Sequence, residues 1–291
     1  MAKDQMNIQW YPGQMTKTRR QMEADLKQVD AVCEIVDARI PISSRNPDID
    51  AICGNKPRIM ILNRMDLADP NATAQWVKFY KGIGRAAVAT DCKSRAGISA
   101  FTPAVRHVLQ EKIRRDAERG MNRPLRVMVV GIPNVGKSTL INQISGRKGA
   151  KAENRPGVTR GKQWVTVDNG LLLLDTPGIL WPQFEDPQVG MMLAYTGAVK
   201  DGVLDIEELA AYLIELLWKR YPEAVTARYG ISDVPEDTPG YQLLEAAGRK
   251  RGFLLARGEI NTERMAKVLV DEYRAGKLGR ITLELPEDIH E

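Results

Sequence analysis

The chain has 291 residues, 43% apolar and 27% charged, with a net charge of +5, a profile that fits one large or two ordinary globular domains. No apolar run approaches membrane-spanning length and residues 1–20 lack a signal-peptide core, so no membrane span and a cytoplasmic location are expected. Three scattered cysteines with no CxxC pair suit reduced thiols, and two histidines, His107 and His290, are too few for a histidine-rich metal site.

In chain order, Asn7-Ile8-Gln9-Trp10-Tyr11-Pro12-Gly13-Gln14-Met15 turns at Pro-Gly into a helical pattern running to Leu26, with Thr16 or Thr18 as its cap. Ala31–Asp37 reads as a buried strand ending in Asp37-Ala38-Arg39-Ile40-Pro41. A loop at Ser43–Pro47 and a short helix at Asp48–Cys53 precede a second apolar strand, Arg58–Leu62, which ends in Asn63-Arg64-Met65-Asp66. A helix over Ala72–Lys81, a short strand over Ala86–Thr90 and a loop holding Asp91, Lys93 and Gly97 come next. The pattern then predicts one helix over Ile98–Ala117 and a link at Arg119–Arg123. Strands alternating with helices imply a three-layer α/β sheet.

The stretch that organises the rest is Gly131-Ile132-Pro133-Asn134-Val135-Gly136-Lys137-Ser138-Thr139, between the apolar run Val127–Val130 and the helical Leu140–Ile144. A glycine, four residues and Gly-Lys-Ser between strand and helix is a phosphate-binding loop. Its amide N–H groups turn inward around phosphates, and the helix N-terminus adds positive potential. Lys137 then reaches the β- and γ-phosphates, and the Ser138 hydroxyl ligates Mg²⁺.

Gly146–Gly161 is rich in Gly, Arg and Lys and contains Thr159. Gln163–Val167 and Leu171–Leu174 form a strand pair around the hairpin signal Asp168-Asn169-Gly170, and the second ends in Asp175-Thr176-Pro177-Gly178. Beyond Trp181-Pro182 the alternation stops, and Ile206–Arg220, Tyr241–Lys250 and Asn261–Ala275 show helical spacing. Two domains follow from this reading, 1–180 as the nucleotide-binding domain and 181–291 as an all-helical one. Asp201, Asp205, Glu207 and Glu208 fail the spacing of a calcium loop and fit the acid-rich start of a helix.

The short motifs gain specificity from one another. Asp175 at a strand end supplies an acid near Mg²⁺, through water, and Gly178 an N–H beside the γ-phosphate. Thr159 sits where a switch threonine closes on the metal. Asn63-Arg64-Met65-Asp66 resembles the guanine-reading Asn-Lys-x-Asp, whose Asp accepts two hydrogen bonds that adenine cannot supply, which favours GTP. Thr90-Asp91-Cys92-Lys93 is the second base-contact loop. The base-contact motifs precede the phosphate loop, the reverse of the usual GTPase order, and the same sheet forms because new termini are tolerated at surface loops.

This order, with Gln9-Trp-Tyr-Pro-Gly13 and Asp37-Ala-Arg-Ile-Pro41, resembles the circularly permuted GTPases of the ribosome biogenesis GTPase A (YlqF-like) family over essentially the whole chain. The resemblance implies a permuted Ras-like domain, a C-terminal helical domain, and GTP hydrolysis stimulated by the large ribosomal subunit during its late maturation. The family's first motif usually reads W-F-P-G-H-M, with the His as proposed catalytic residue; here that position is Gln14. Ile179 stands where Ras-type enzymes place a water-orienting Gln. Gln14 is therefore the candidate for positioning water, the alternative being a helix cap or packing near Trp10. Asn134 resembles the Asn of potassium-activated GTPases; it either helps hold K⁺ between phosphates or only closes the loop.

Charge points to the partner. Lys137 to Lys162 holds seven basic residues against one acid, and Arg249 to Arg280 nine against four. Basic stretches beside a nucleotide site fit an RNA partner. Lys17, Arg19, Arg20, Arg249, Lys250 and Arg251 are candidate contacts, the alternative being an ordinary solvated surface. The expected protein is a monomeric assembly GTPase binding GTP, GDP and the large ribosomal subunit. The competing reading is a nucleotide-gated RNA- or ribosome-binding module with negligible chemistry. A P-loop kinase leaves both the Asn63–Asp66 and Asp175–Gly178 motifs unexplained.

Overall fold

A computed structural model describes residues 20–146, 163–168, 170–176, 178, 186–199, 205–232 and 234–289. They fall into two compact units that divide between 184 and 185 and again between 283 and 284.

The first unit is built on a six-stranded sheet. Residues 20–26 are helical (α1), followed by β1 (Ala31–Asp37), α2 (Asp48–Cys53), β2 (Arg58–Asn63), α3 (Pro70–Gly82), β3 (Ala86–Thr90), α4 (Phe101–Val108) and α5 (Gln110–Glu118). β4 (Leu125–Val130), α6 (Lys137–Ser145), β5 (Gln163–Asp168) and β6 (Leu171–Asp175) complete it. The strand order is β3-β2-β1-β4-β6-β5, parallel except for β5, which pairs antiparallel with β6.

β1 is buried along its full length, as a central parallel strand must be. Its one internal charge, Glu34, is neutralised by Arg45 at 3.0 Å and Arg58 at 3.4 Å. Right-handed crossovers explain the layers. The chain steps outward from β1 to β3, which puts α2 and α3 on one face. It then returns to β4 and continues to β6, which puts α4 and α6 on the other. Val32, Met128 and Leu174 accordingly pack with Met22, Leu26 and Ile49. On the same face Val36, Met60 and Leu62 meet Trp76 and Tyr80 of α3. The opposite residues of these strands, among them Ile35, Ile59, Val127 and Leu173, are equally buried.

The helix expected over Ile98–Ala117 is broken. A 3₁₀ turn at Ile98–Ala100 leads into α4, and Leu109, at φ −103° and ψ 15°, separates α4 from α5. α4 buries Phe101 and Val105, whereas α5 buries no residue, so nothing in packing holds the two halves to one axis.

The second unit holds five helices among the described residues: α7 (Pro187–Tyr195), α8 (Ile206–Arg220), α9 (Pro222–Tyr229), α10 (Gly240–Lys250) and α11 (Thr262–Arg274). α8 is central and packs on α10 and α11. Asp205 caps it, accepting from the amides of Glu207 at 2.8 Å and Glu208 at 3.1 Å, so these three acids form the acid-rich helix start that was expected, while Asp201 lies outside the described residues. α7 and α9 were not expected; each opens on proline at its first position, where no N–H is needed. Glu272 ties this unit together, accepting from Arg228 Nε at 2.9 Å, the Tyr229 hydroxyl at 3.0 Å and Arg251 at 3.4 Å.

The sequence pattern placed everything from 181 onward in the helical domain, but residues 284–289 group with the sheet unit. Among the described residues no helix is long and apolar enough to cross a membrane.

Candidate functional site

The register brings the motifs to one edge. Asp37 pairs with Asn63 and Asn63 with Thr90, while Glu34 pairs with Val130 and Val129 with Asp175. These are the carboxyl ends of five parallel strands. The direction of winding reverses between β1 and β4, and open α/β sheets bind ligands at such a crevice.

The phosphate loop leaves β4 and enters α6 at Gly136, whose φ of 104° favours glycine. A Cβ on Gly136 would also lie 2.3 Å from Asn63 Nδ2, so its absence admits the neighbouring motif. Lys137 is buried, and its Nζ donates to the carbonyls of Gly131 and Ile132, both at 3.0 Å. Burial pushes its amine down to about 8, against a partial opposing pull from the Asp175 charge. Ser138 and Thr139 follow in the first turn of α6, both partly exposed.

Asp175 is buried, and burial raises its carboxyl above the ordinary range despite Lys137 and an amide hydrogen bond from Thr176. Its Oδ1 has no hydrogen-bond partner among the described residues. Such a buried oxygen needs a cationic or hydrogen-bonding ligand. The Thr176 hydroxyl donates to the Val129 carbonyl at 2.7 Å, which pins the start of this loop to β4. A Cβ on Gly178 would sit 2.8 Å from Lys137 Nζ and 2.9 Å from Pro133, so glycine lets the two loops close on each other.

The expected base corner lies alongside. Asn63 Nδ2 donates to the Val135 carbonyl at 2.8 Å, and its Oδ1 accepts from the Thr90 hydroxyl at 3.3 Å. One side chain thereby ties β2, β3 and the phosphate loop together. Arg64, at φ 62°, donates from Nη2 to the Asn134 carbonyl at 2.8 Å, and Asn134 is itself left-handed at φ 61°. The guanidinium thus reaches the phosphate loop. Asp91 turns its carboxylate onto the amides of Lys93 at 2.8 Å and Ser94 at 3.1 Å, which shapes the loop around the buried Cys92. Asp66 stays partly exposed, three residues on from Asn63 in the same turn.

Asn63, Arg64, Thr90, Asn134, Val135 and Gly136 therefore form one connected set, and Lys137, Asp175 and Gly178 a second beside it. Gln14, Thr159 and Ile179 lie outside the described residues. Sequence reading missed Asp37 and Arg39. Asp37 accepts from the Arg39 amide at 3.0 Å, from Arg39 Nε at 2.9 Å and Nη2 at 2.8 Å, and lies 3.7 Å from Arg64 Nε. Burial pushes the Asp37 carboxyl up, but Arg39 and then Arg64 outweigh it and hold it below the usual range. The available signal was a charged Asp-x-Arg at the end of an apolar strand.

A phosphate loop on a parallel sheet, with the base corner before it in the chain, defines a circularly permuted P-loop GTPase. A family model described as 50S ribosome-binding GTPase matches residues 126–222. The chain is 47% identical over 285 residues to ribosome biogenesis GTPase A of Priestia megaterium, covering 97% of this chain and 98% of that protein. It is 44% identical to the protein of that name from Bacillus cereus, covering 98% and 96%. Among solved structures, GDP-bound TM YlqF has a TM-score of 0.60 at 30% identity, covering 92% of this chain and 100% of that one. The GNP-bound YlqF of T. maritima has a TM-score of 0.59 at 30% identity, covering 94% and 100%. This chain belongs to the ribosome biogenesis GTPase A family, and it is a GTP-hydrolysing enzyme.

Proposed function

We propose that this enzyme is an assembly factor for the large ribosomal subunit, binding the particle in one nucleotide state and leaving after hydrolysis. Family membership at 47% identity over nearly the full chain is the observation that carries this reading. The site's chemistry is consistent with it. Backbone N–H groups of residues 134–138 and the Lys137 ammonium take the phosphates, and Lys137 exchanges two carbonyl partners for phosphate oxygens. Asn63, Arg64 and Asp66, with the Thr90–Cys92 loop, read guanine.

Mg²⁺ fits the residues present. Asp175 offers a buried oxygen without a hydrogen-bond partner among the described residues, and Ser138 a hydroxyl one residue past Lys137. No cluster of three or more His, Cys, Asp or Glu side chains gathers among the described residues, which suits an ion that leans on phosphates and water. We assign Ser138, Thr159 and, through water, Asp175 to that ion, which when bound neutralises charge on the β- and γ-phosphates. Asn134 is the candidate ligand for K⁺. Gln14 is the candidate for orienting the attacking water, since an amide both accepts from and donates to it. Arg20, Arg249, Lys250 and Arg251 are candidate rRNA contacts, together with Lys17 and Arg19, which lie outside the described residues, and a cytoplasmic monomer is the expected form.

The test is GTP turnover by the purified protein, with and without large ribosomal subunits, in KCl and in NaCl. Strong stimulation by subunits supports the assembly role, and faster turnover in K⁺ supports Asn134 as an ion ligand. Tight nucleotide-dependent binding to subunits with no stimulated turnover would replace it with a gated binding module. Loss of stimulated turnover in Gln14→Ala with GTP binding intact would support Gln14.

A further inference from the structure

Glu284 takes no part in the chemistry above, yet it is buried in the sheet unit. Its Oε2 accepts from the amides of Ile42 at 2.6 Å and Ser43 at 3.0 Å. Its Oε1 accepts from the Ser43 amide at 3.2 Å and from the Ser43 hydroxyl. Its carbonyl accepts from Trp76 Nε1 of α3 at 2.8 Å, and the Leu285 amide donates to Asp288 Oδ2 at 2.7 Å, which shapes the segment that follows. A carboxylate has been taken out of water and seated on backbone donors 241 residues away in the chain. Desolvating a charge without a cation is costly, so the donors of the loop after β1 are matched closely to it.

That loop leads back to the nucleotide. Ser44, next to Ser43, accepts the Asp37 amide at 2.9 Å and donates to the Ile40 carbonyl at 2.6 Å. Asp37 holds Arg39 and faces Arg64, and Arg64 donates to Asn134 of the phosphate loop. Apart from covalent steps along the loop and the 3.7 Å ion pair, every link is a hydrogen bond within one unit.

We propose that Glu284 is a positioning residue of the nucleotide site. Its carboxyl clasps the loop at 40–44, and that loop in turn sets Asp37 and the Arg64 arm of the base corner. This rests on the reading of Asn63, Arg64 and Asp66 as the guanine corner. Burial pushes the carboxyl from near 4.5 up to about 7, against the pull of Ser43 and the two amides. The titratable groups facing it are Asp288 of its own segment and Tyr80 of α3. A raised value means the seated form holds its proton more tightly than the released one. Seating is therefore favoured at low pH and weakens as pH rises from about 4.5 through 7.

The experiment is titration of the full chain with a fluorescent GDP analogue between pH 5 and 8, for wild type, Glu284→Gln and Glu284→Ala. Residues that act through one packed network shift affinity about two- to thirtyfold, and Glu284→Ala is expected to weaken binding within that range. Glu284→Gln keeps an acceptor for the amides and stays close to wild type at low pH. The ratio of wild-type to Glu284→Gln dissociation constants is expected to climb up to about pH 7 and then level. Folded Glu284→Ala binding GDP as wild type does, or Glu284→Gln losing as much as Glu284→Ala, overturns the proposal. If Glu284→Ala does not fold, Ser43→Ala removes a single donor, and wild-type affinity in that variant overturns it equally. Wild type failing to bind GDP would instead refute the base-corner reading.

Discussion

The bond from Asn63 to the phosphate loop can be weighed. Asn63→Ala removes the 2.8 Å hydrogen bond to the Val135 carbonyl and the acceptor of the Thr90 hydroxyl, in a side chain that is 3% exposed. The hydroxyl can rotate to another acceptor, so the main loss is one buried carbonyl left unpaired, about 1–3 kcal/mol. If the free loop keeps its shape, the loss appears as a fall in melting temperature of roughly 2–4 °C per kcal/mol for a unit of this size. If the free loop relaxes so that water reaches Val135, the same energy is paid when nucleotide restores the shape. GDP affinity then falls by about 5- to 150-fold at constant melting temperature. The two effects trade against each other, and their sum is bounded. Calorimetric melting and GDP titration on one preparation measure both. A variant melting within about 1 °C of wild type and binding GDP within about twofold would refute the bridge as a support of the loop. Asn63→Asp is expected to be worse, because it sets a carboxylate oxygen against the carbonyl.

Three further outcomes follow from the same geometry. Asp175→Ala removes the buried oxygen proposed to face Mg²⁺; GTP affinity should then stop responding to Mg²⁺ while GDP binding in chelator persists, and an unchanged Mg²⁺ response would exclude that role. Lys137 sits at about 8 without nucleotide, and phosphate favours its charged form, so GDP affinity should be full below that value and fall as pH rises through it. Proton uptake on binding at pH above 8, read from calorimetry in two buffers, checks this against Lys137→Gln, which should show none. In the helical unit, Glu272→Ala strands Arg228 and Arg251; because both arginines are partly solvated, we expect about 2–3 kcal/mol of destabilisation rather than the full cost of a buried pair. Denaturant titration followed by far-ultraviolet circular dichroism reads that value, and a loss under about 0.5 kcal/mol would demote Glu272 to a surface ion pair.

Much of the sheet and its site was legible because each motif closes an apolar strand. Asp37, Asn63, Thr90 and Asp175 all end runs that cannot stay in water, so their shared edge followed from strand pairing alone. The helix over 98–117 misled because Ile113 continues the apolar spacing of Phe101 and Val105, although α5 buries nothing. α7 and α9, which were not expected, open on Pro187 and Pro222 as first helical positions. The seat of Glu284 had no local signal. Leu-Glu-Leu-Pro carries no motif, and its partners are main-chain amides whose positions exist only once β1 and α3 have packed.

The winding of the sheet also sets an order of events during synthesis. β1, β2 and β3 are made first and are neighbours in space, so each joins the last after a short closure. Until β4 emerges, the apolar edge of β1 has no partner, and an unpaired strand of that kind invites wrong pairings. The phosphate loop then follows, and Asp175 after it, so a nascent chain holds every described piece of the nucleotide pocket well before the helical unit exists. Glu284 arrives only after that unit has been made. A chain cut short within the helices would carry a nucleotide pocket whose loop at 40–44 had not been seated, and its grip on GDP would report how far translation had run.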